Sequence, residues 1–153
     1  MIRPGTGNLL HASVDALVNA VNCVGAMGKG IALQFKKAWP AMFRDYQAAA
    51  KADQVVPGRI HVWPTGALTA SHYVLNFPTK RHWRNRSRVA DIEAGLVDLV
   101  ARIRELGIGS VAVPPLGAGH GGLPWDQVRP LIVQAMGDLD GVDVVLWEPG
   151  HGP

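Results

Sequence analysis

Residues 15–35 constrain this chain more than any other stretch. Residues 16–21 are almost wholly apolar, as in a strand buried on both faces. A loop follows with Gly25, Gly28 and Gly30, and then Ile31, Leu33, Phe35, Ala38 and Trp39 recur as a helix packed on a core requires. A strand, a glycine loop and a helix start in that order point backbone N–H groups and the positive end of a helix dipole into one small space. That space suits a phosphate. The Walker spacing Gly-x4-Gly-Lys-Ser/Thr is absent, and glycines also serve tight connections, so the loop alone leaves both readings open.

The remaining elements fall into alternation. Residues 4–8 form a turn. Residues 31–39 and 41–52 read as helices separated by Pro40, which starts the second. Residues 59–65 and 72–77 read as strands, the second stopped by Pro78. Val89, Ile92, Leu96, Leu99, Val100, Ile103 and Leu106 mark a long helix over 89–106, closed by Gly107. A strand at 110–113, a second glycine loop at 115–124, a helix at 125–136 and a last strand at 142–147 complete the series. Strands alternating with helices in 153 residues predict one α/β domain of three layers, residues 1–148, with 149–153 as a disordered tail or a truncated linker.

The second loop formally matches Gly-x-Gly-x-x-Gly at Gly117, Gly119 and Gly122. Only 31 residues follow Gly122, too few for a dinucleotide-binding half, so that reading is rejected. What remains is a second cradle, and two cradles at strand ends fit a ligand with two phosphates. Plain glycine turns are the competing reading.

Charge is local. The formal net charge is +3, yet residues 80–88 hold five of the 15 basic residues and no acid. The other ten are outnumbered by 12 acids. A basic strip carrying an aromatic is the footprint of a nucleic-acid backbone. Arg81, His82, Trp83 and Arg84 are the candidate nucleic-acid contacts, with Trp83 able to stack a base or to serve as packing. One cysteine excludes an internal disulfide and fits a reducing cytoplasm; Cys23 has no obvious base beside it. Six scattered histidines show no metal-ligand spacing, so no metal is expected. No apolar run reaches 18 residues and no signal peptide opens the chain, so no membrane is expected. Asn19 and Asn22 can reach sugar hydroxyls or brace the loop. Lys80, near a strand end, can be a desolvated base or nucleophile, or a solvated cation.

Taken together these residues resemble the macrodomain family, which binds ADP-ribose. The resemblance rests on Gly7-Asn8-Leu9-Leu10, Val18-Asn19-Ala20-Val21-Asn22, Gly28-Lys29-Gly30-Ile31-Ala32 and Val113-Pro114-Pro115-Leu116-Gly117-Ala118-Gly119. The loop at 24–35, with Asn76-Phe77-Pro78-Thr79-Lys80-Arg81-His82-Trp83, is similar to the DarG antitoxins of DarT–DarG systems and to the terminal ADP-ribose glutamyl hydrolases. The resemblance implies a mixed central sheet and removal of ADP-ribose from thymine in single-stranded DNA modified by a DarT toxin. It places Asn8 and Leu9 near the adenine and Asn22 at the distal ribose. It wraps the diphosphate with Gly28, Lys29, Gly30, Ile31 and Ala32 and with Gly117, Ala118, Gly119, His120, Gly121 and Gly122. It makes Lys80 catalytic. No cofactor is implied, because water is the second substrate, and a monomer is expected. Two positions depart from the family: Asn8 stands where many macrodomains carry Asp, and Gly121 stands where the glutamyl hydrolases carry a second acid, with His120 beside it as a possible helper. DarG antitoxins carry a further C-terminal domain, so the chain reads as an excised macrodomain. Binding without turnover and hydrolysis of protein-linked ADP-ribose are the competing functions.

Overall fold

The computed structural model describes residues 1–150. Among them are six strands, β1 (Ile2–Pro4), β2 (Ala16–Asn22), β3 (His61–Pro64), β4 (Tyr73–Lys80), β5 (Ser110–Val113) and β6 (Asp143–Leu146). The four helices are α1 (Gly30–Ala38), α2 (Pro40–Lys51), α3 (Val89–Glu105) and α4 (Trp125–Met136). The sheet order is β1-β6-β5-β2-β4-β3. All neighbours are parallel except β3, which runs antiparallel to β4, so the sheet is mixed.

Side-chain alternation along the central strands builds two cores. Ala16, Val18, Leu75, Phe77, Val111, Val113, Val144 and Leu146 face α3 and α4. Leu17, Val21, Val74, Ala112 and Val145 face α1 and α2. Burial on both faces is why these strands read as continuous apolar runs. The result is the expected three-layer α/β/α fold. The chain after β2 leaves toward α1 on one face, and the chain after β5 leaves toward α4 on the other. These two strands are adjacent, so a crevice opens between their carboxyl ends, where ligands bind in open α/β sheets.

Gly107 closes α3 as expected. Its φ is +65°, Ile108 N–H donates to the Ile103 carbonyl at 3.0 Å and Gly107 N–H to that of Arg104 at 3.3 Å, both bonds of a Schellman motif. One element was not expected and one boundary is corrected. β1 precedes the expected turn, sharing only Pro4 with it; at three residues it is too short for a periodic signal and gains its identity by pairing Ile2 with Val144. β4 does not stop at Pro78 but runs to Lys80. Beyond Asn76 it has lost its β3 neighbour, and on a strand paired on one side only a proline is tolerated. Of the expected tail at 149–153, Pro149 and Gly150 line the cleft described below, and residues 151–153 lie outside the described residues. No helix among the described residues is long and apolar enough to cross a membrane.

Candidate active site

A cleft of about 820 Å³ opens at the carboxyl ends of β2, β4, β5 and β6. The two glycine loops form its middle. Gly28, Lys29, Gly30, Ile31 and Ala32 line it from the first loop. Lys29 precedes α1 in an extended conformation and no side chain caps the helix. The free N–H groups of the first helical turn, with the positive end of the dipole, therefore face the cleft. Gly117, Gly119, His120 and Gly121 line it from the second loop. That loop is held by Ala118 N–H to Pro115 O at 3.0 Å and Leu123 N–H to Gly117 O at 2.9 Å. The N–H groups of Gly119, His120 and Gly121 donate to no group among the described residues. The loops meet: a Cβ on Gly30 would stand 2.9 Å from His120 Nε2. Two rows of free backbone donors thus converge on one space, as a diphosphate requires.

The loop after β2 is locked from behind. Asn22 Oδ1 accepts from Val24 N–H at 3.1 Å and Ala26 N–H at 3.3 Å, and Asn22 Nδ2 donates to Ala26 O at 2.9 Å. The Tyr46 hydroxyl donates to Asn22 O at 2.6 Å and reaches its Oδ1 at 2.9 Å. Burial pushes the Tyr46 phenol up, so it stays a donor. Asn22 lines the cleft, but bracing uses its oxygen and one of its two N–H bonds.

Lys80 ends β4 in register with Asn22 and its side chain lines the cleft. Nζ donates to Trp83 O at 3.4 Å. Partial burial, and then the nearby Lys29 ammonium, lower its pKa below the ordinary 10.5. A share of neutral amine is therefore available to attack or to accept a proton. Trp83 is 49% exposed, with the Arg84 guanidinium 4.6 Å over its ring and the His82 ring 5.1 Å away. Trp83 and Arg84 line the cleft beside Lys80.

Several expected contacts are placed elsewhere. Asn19 is fully buried, with Nδ2 donating to Asn76 Oδ1 at 3.1 Å, and belongs to the layer under α1 and α2 rather than the cleft. Asn8 caps a 3₁₀ turn, its Oδ1 accepting from Leu10 N–H at 3.0 Å, and only its neighbour Leu9 lines the cleft. Arg81 is spent on Asp91, in a two-pronged ion pair at 3.1 and 3.2 Å that raises its pKa, so it anchors the loop to α3. His82 turns Nδ1 to Arg84 N–H at 3.1 Å and lies behind Trp83. Ala118 packs on the α3–α4 core, and Gly122 offers its carbonyl to Arg86 at 2.7 Å. Burial and the Asp91 carboxylate push the Cys23 thiol up, against a thiolate role. No cluster of three potential metal ligands occurs among the described residues.

Sequence reasoning missed Asn85 and Arg86 in the loop after β4, and Trp147 and Glu148 after β6, all lining the cleft. The usable signal was position: each follows the carboxyl end of a parallel strand.

Comparison with known proteins bears on the same geometry. The chain is 53% identical over 152 residues to the DNA ADP-ribosyl glycohydrolase of Mycobacterium tuberculosis, which covers 99% of this chain and 43% of that protein. The chain thus spans less than half the length of the curated relative. The solved macrodomain of Mycobacterium tuberculosis DarG superposes with a TM-score of 0.96 at 53% identity, covering 98% of this chain and 99% of that one. Thermosipho africanus DarTG in complex with ADP-ribose superposes with a TM-score of 0.86 at 33% identity, covering 93% and 40%. Residues 18–132, from β2 through most of α4, match the Macro domain family, and the chain belongs to it.

Proposed function

We propose that this chain is a hydrolase that removes ADP-ribose from thymine bases of single-stranded DNA, undoing the work of a DarT-type DNA ADP-ribosyltransferase. The observation that carries the reading is the Lys80 amine. It lines one cleft together with two loops of free backbone donors and with the stacked Trp83 and Arg84. The names of the relatives support the same assignment: one is a DNA ADP-ribosyl glycohydrolase and another structure holds ADP-ribose.

The loops grip the diphosphate and bring the distal ribose to Lys80. The neutral amine attacks the anomeric carbon, the bond from that carbon to the thymine nitrogen breaks, and the electron pair leaves with the base. The proton released by the amine goes to that nitrogen. Water then displaces the amine from the anomeric carbon, giving ADP-ribose and free Lys80. Trp83 stacks a base of the strand, and Arg84 faces its phosphates. The only co-reactant is water. The lining residues all come from one copy of the chain, in keeping with a monomer, and a cytoplasmic setting keeps Cys23 reduced.

The test is a thymine-ADP-ribosylated single-stranded oligonucleotide. The parent releases ADP-ribose and Lys80→Ala does not; equal release by both would end the proposal. One observation favours a second reading, ADP-ribose binding without turnover: Gly121 offers no acid beside Lys80. Tight ADP-ribose binding with no release from the oligonucleotide would select it.

A further inference from the structure

We propose that Glu148 reads the 6-amino group of the adenine and so sets the nucleobase preference of the cleft; the assignment rests on ADP-ribose being the ligand. The cleft is lined by Lys29, Lys80, Arg84 and Arg86, and Glu148 is its one carboxylate among the described residues. None of the ion pairs among the described residues uses it. An unpaired acid in a site built for a diphosphate opposes binding unless it faces a part of the ligand that donates hydrogen bonds.

Its place in the sheet says which part. The strand order β6-β5-β2-β4 puts Glu148, after β6, and Lys80, at the end of β4, three strand spacings apart. That is roughly 14 Å at the usual strand separation. The glycine loops follow β2 and β5, between them. A diphosphate held there, with the sugar to be cleaved at Lys80, sends the adenosine toward Glu148. The wall at that end is Leu9 and Trp147. Trp147 is fixed by its Nε1–H bond to Gly7 O at 2.9 Å and by its ring lying against Gly5, where a Cβ would come within 2.3 Å of it. Glu148 thus projects from a rigid point. Asn8 Oδ1 is engaged by Leu10 N–H, and Asn8 does not line the cleft. Adenine presents two N–H donors at position 6, which a carboxylate accepts. Hypoxanthine presents an oxygen there, which a carboxylate repels.

Calorimetric titration with ADP-ribose and with its hypoxanthine counterpart, inosine diphosphate ribose, tests the assignment. The parent should favour the adenine ligand by about tenfold, the scale of one charge-assisted hydrogen bond. Glu148→Gln, whose amide can turn either face to the base, should bring the two affinities within about twofold. Glu148→Ala should weaken ADP-ribose and leave or improve the hypoxanthine ligand. A parent with no preference, or a Glu148→Gln variant that keeps the parental ratio, overturns the assignment. So does a parallel loss of both affinities, which marks a structural role. If the parent binds neither ligand, the ADP-ribose reading falls with it.

Discussion

Gly121→Ala tests how the second loop is built. Gly121 has an ordinary φ, so the question is one of space rather than strain. A Cβ there would stand 2.3 Å from Ser87 Oγ and 2.4 Å from Gly117 O. Real Cβ atoms do not approach other atoms so closely, and the carbonyl, being backbone, cannot swing aside. Moving it loosens the 2.9 Å bond from Leu123 N–H to Gly117 O and the 2.9 Å bond from Ser87 N–H to Gly121 O. Each bond is worth about 1 kcal/mol and overpacking adds a similar amount, so the cost is about 3 kcal/mol. For a domain of this size that is a fall in Tm of roughly 6–12 °C. The same movement displaces the free donors of Gly119 and His120, so ADP-ribose affinity should fall by about tenfold or more. Differential scanning fluorimetry and calorimetry read the two effects. Ser87→Ala separates the obstacles. Its hydroxyl is buried without a partner, so removing it should leave stability unchanged or raised. In the Gly121→Ala background it should restore only part of the loss, because the Gly117 carbonyl remains. A Gly121→Ala variant with parental Tm and affinity would refute this account of the loop. The same crowding leaves no room for the acid that the resemblance to glutamyl hydrolases would put at Gly121.

Lys80→Ala should cut turnover by roughly 10³-fold while ADP-ribose affinity stays within about threefold, because the phosphate donors are backbone groups elsewhere; parallel titration and single-turnover assays check the split. The proposed attack needs neutral Lys80, so kcat/KM should rise with pH and level off below the ordinary lysine value of 10.5. Lys29→Gln removes the like charge that helps lower the Lys80 pKa, so the rising limb should move to higher pH; a limb that stays put would clear Lys29 of any influence. Arg84→Ala should make the log–log salt slope of oligonucleotide affinity shallower by about 0.7, the loss of one single-strand phosphate contact. Arg81→Ala should leave that slope unchanged and lower the Tm, because it strips the buried Asp91 of its partner.

Legibility in the sequence followed the range of the forces involved. The strand–loop–helix units around Gly28 and Gly119 were readable because turn glycines and buried apolar runs are local signals. Pro78 was misread because its tolerance depends on β3 ending opposite Asn76, a fact of strand pairing that no window around Pro78 contains. Asn19 and Asn22 look alike in the chain, yet one pairs with Asn76 across the sheet and the other ties a loop to itself. The first bond spans 57 residues and has no sequence signature. Arg81 was read with its charged neighbours, but Asp91, ten residues on, holds its guanidinium in a two-pronged ion pair. Glu148 follows the last strand, where composition gives no pattern and only the convergence of four strand ends gives it a role.

The distribution of charge ties the two halves of the proposed substrate together. Among the described residues, Lys29, Lys80, Arg84 and Arg86 line the cleft against Glu148 alone, a formal surplus of three positive charges. A diphosphate accounts for two of them. The remainder lies on the Trp83 side, where a polynucleotide would leave the cleft. Elsewhere the balance reverses, since acids outnumber bases outside residues 80–88. The basic footing that the proposed DNA strand would need is therefore concentrated at the mouth of the cleft beside Trp83. Free ADP-ribose uses only the inner share of this field. Its affinity should weaken less with salt than that of the modified oligonucleotide, and equal slopes would mean that the strand is not held at this mouth.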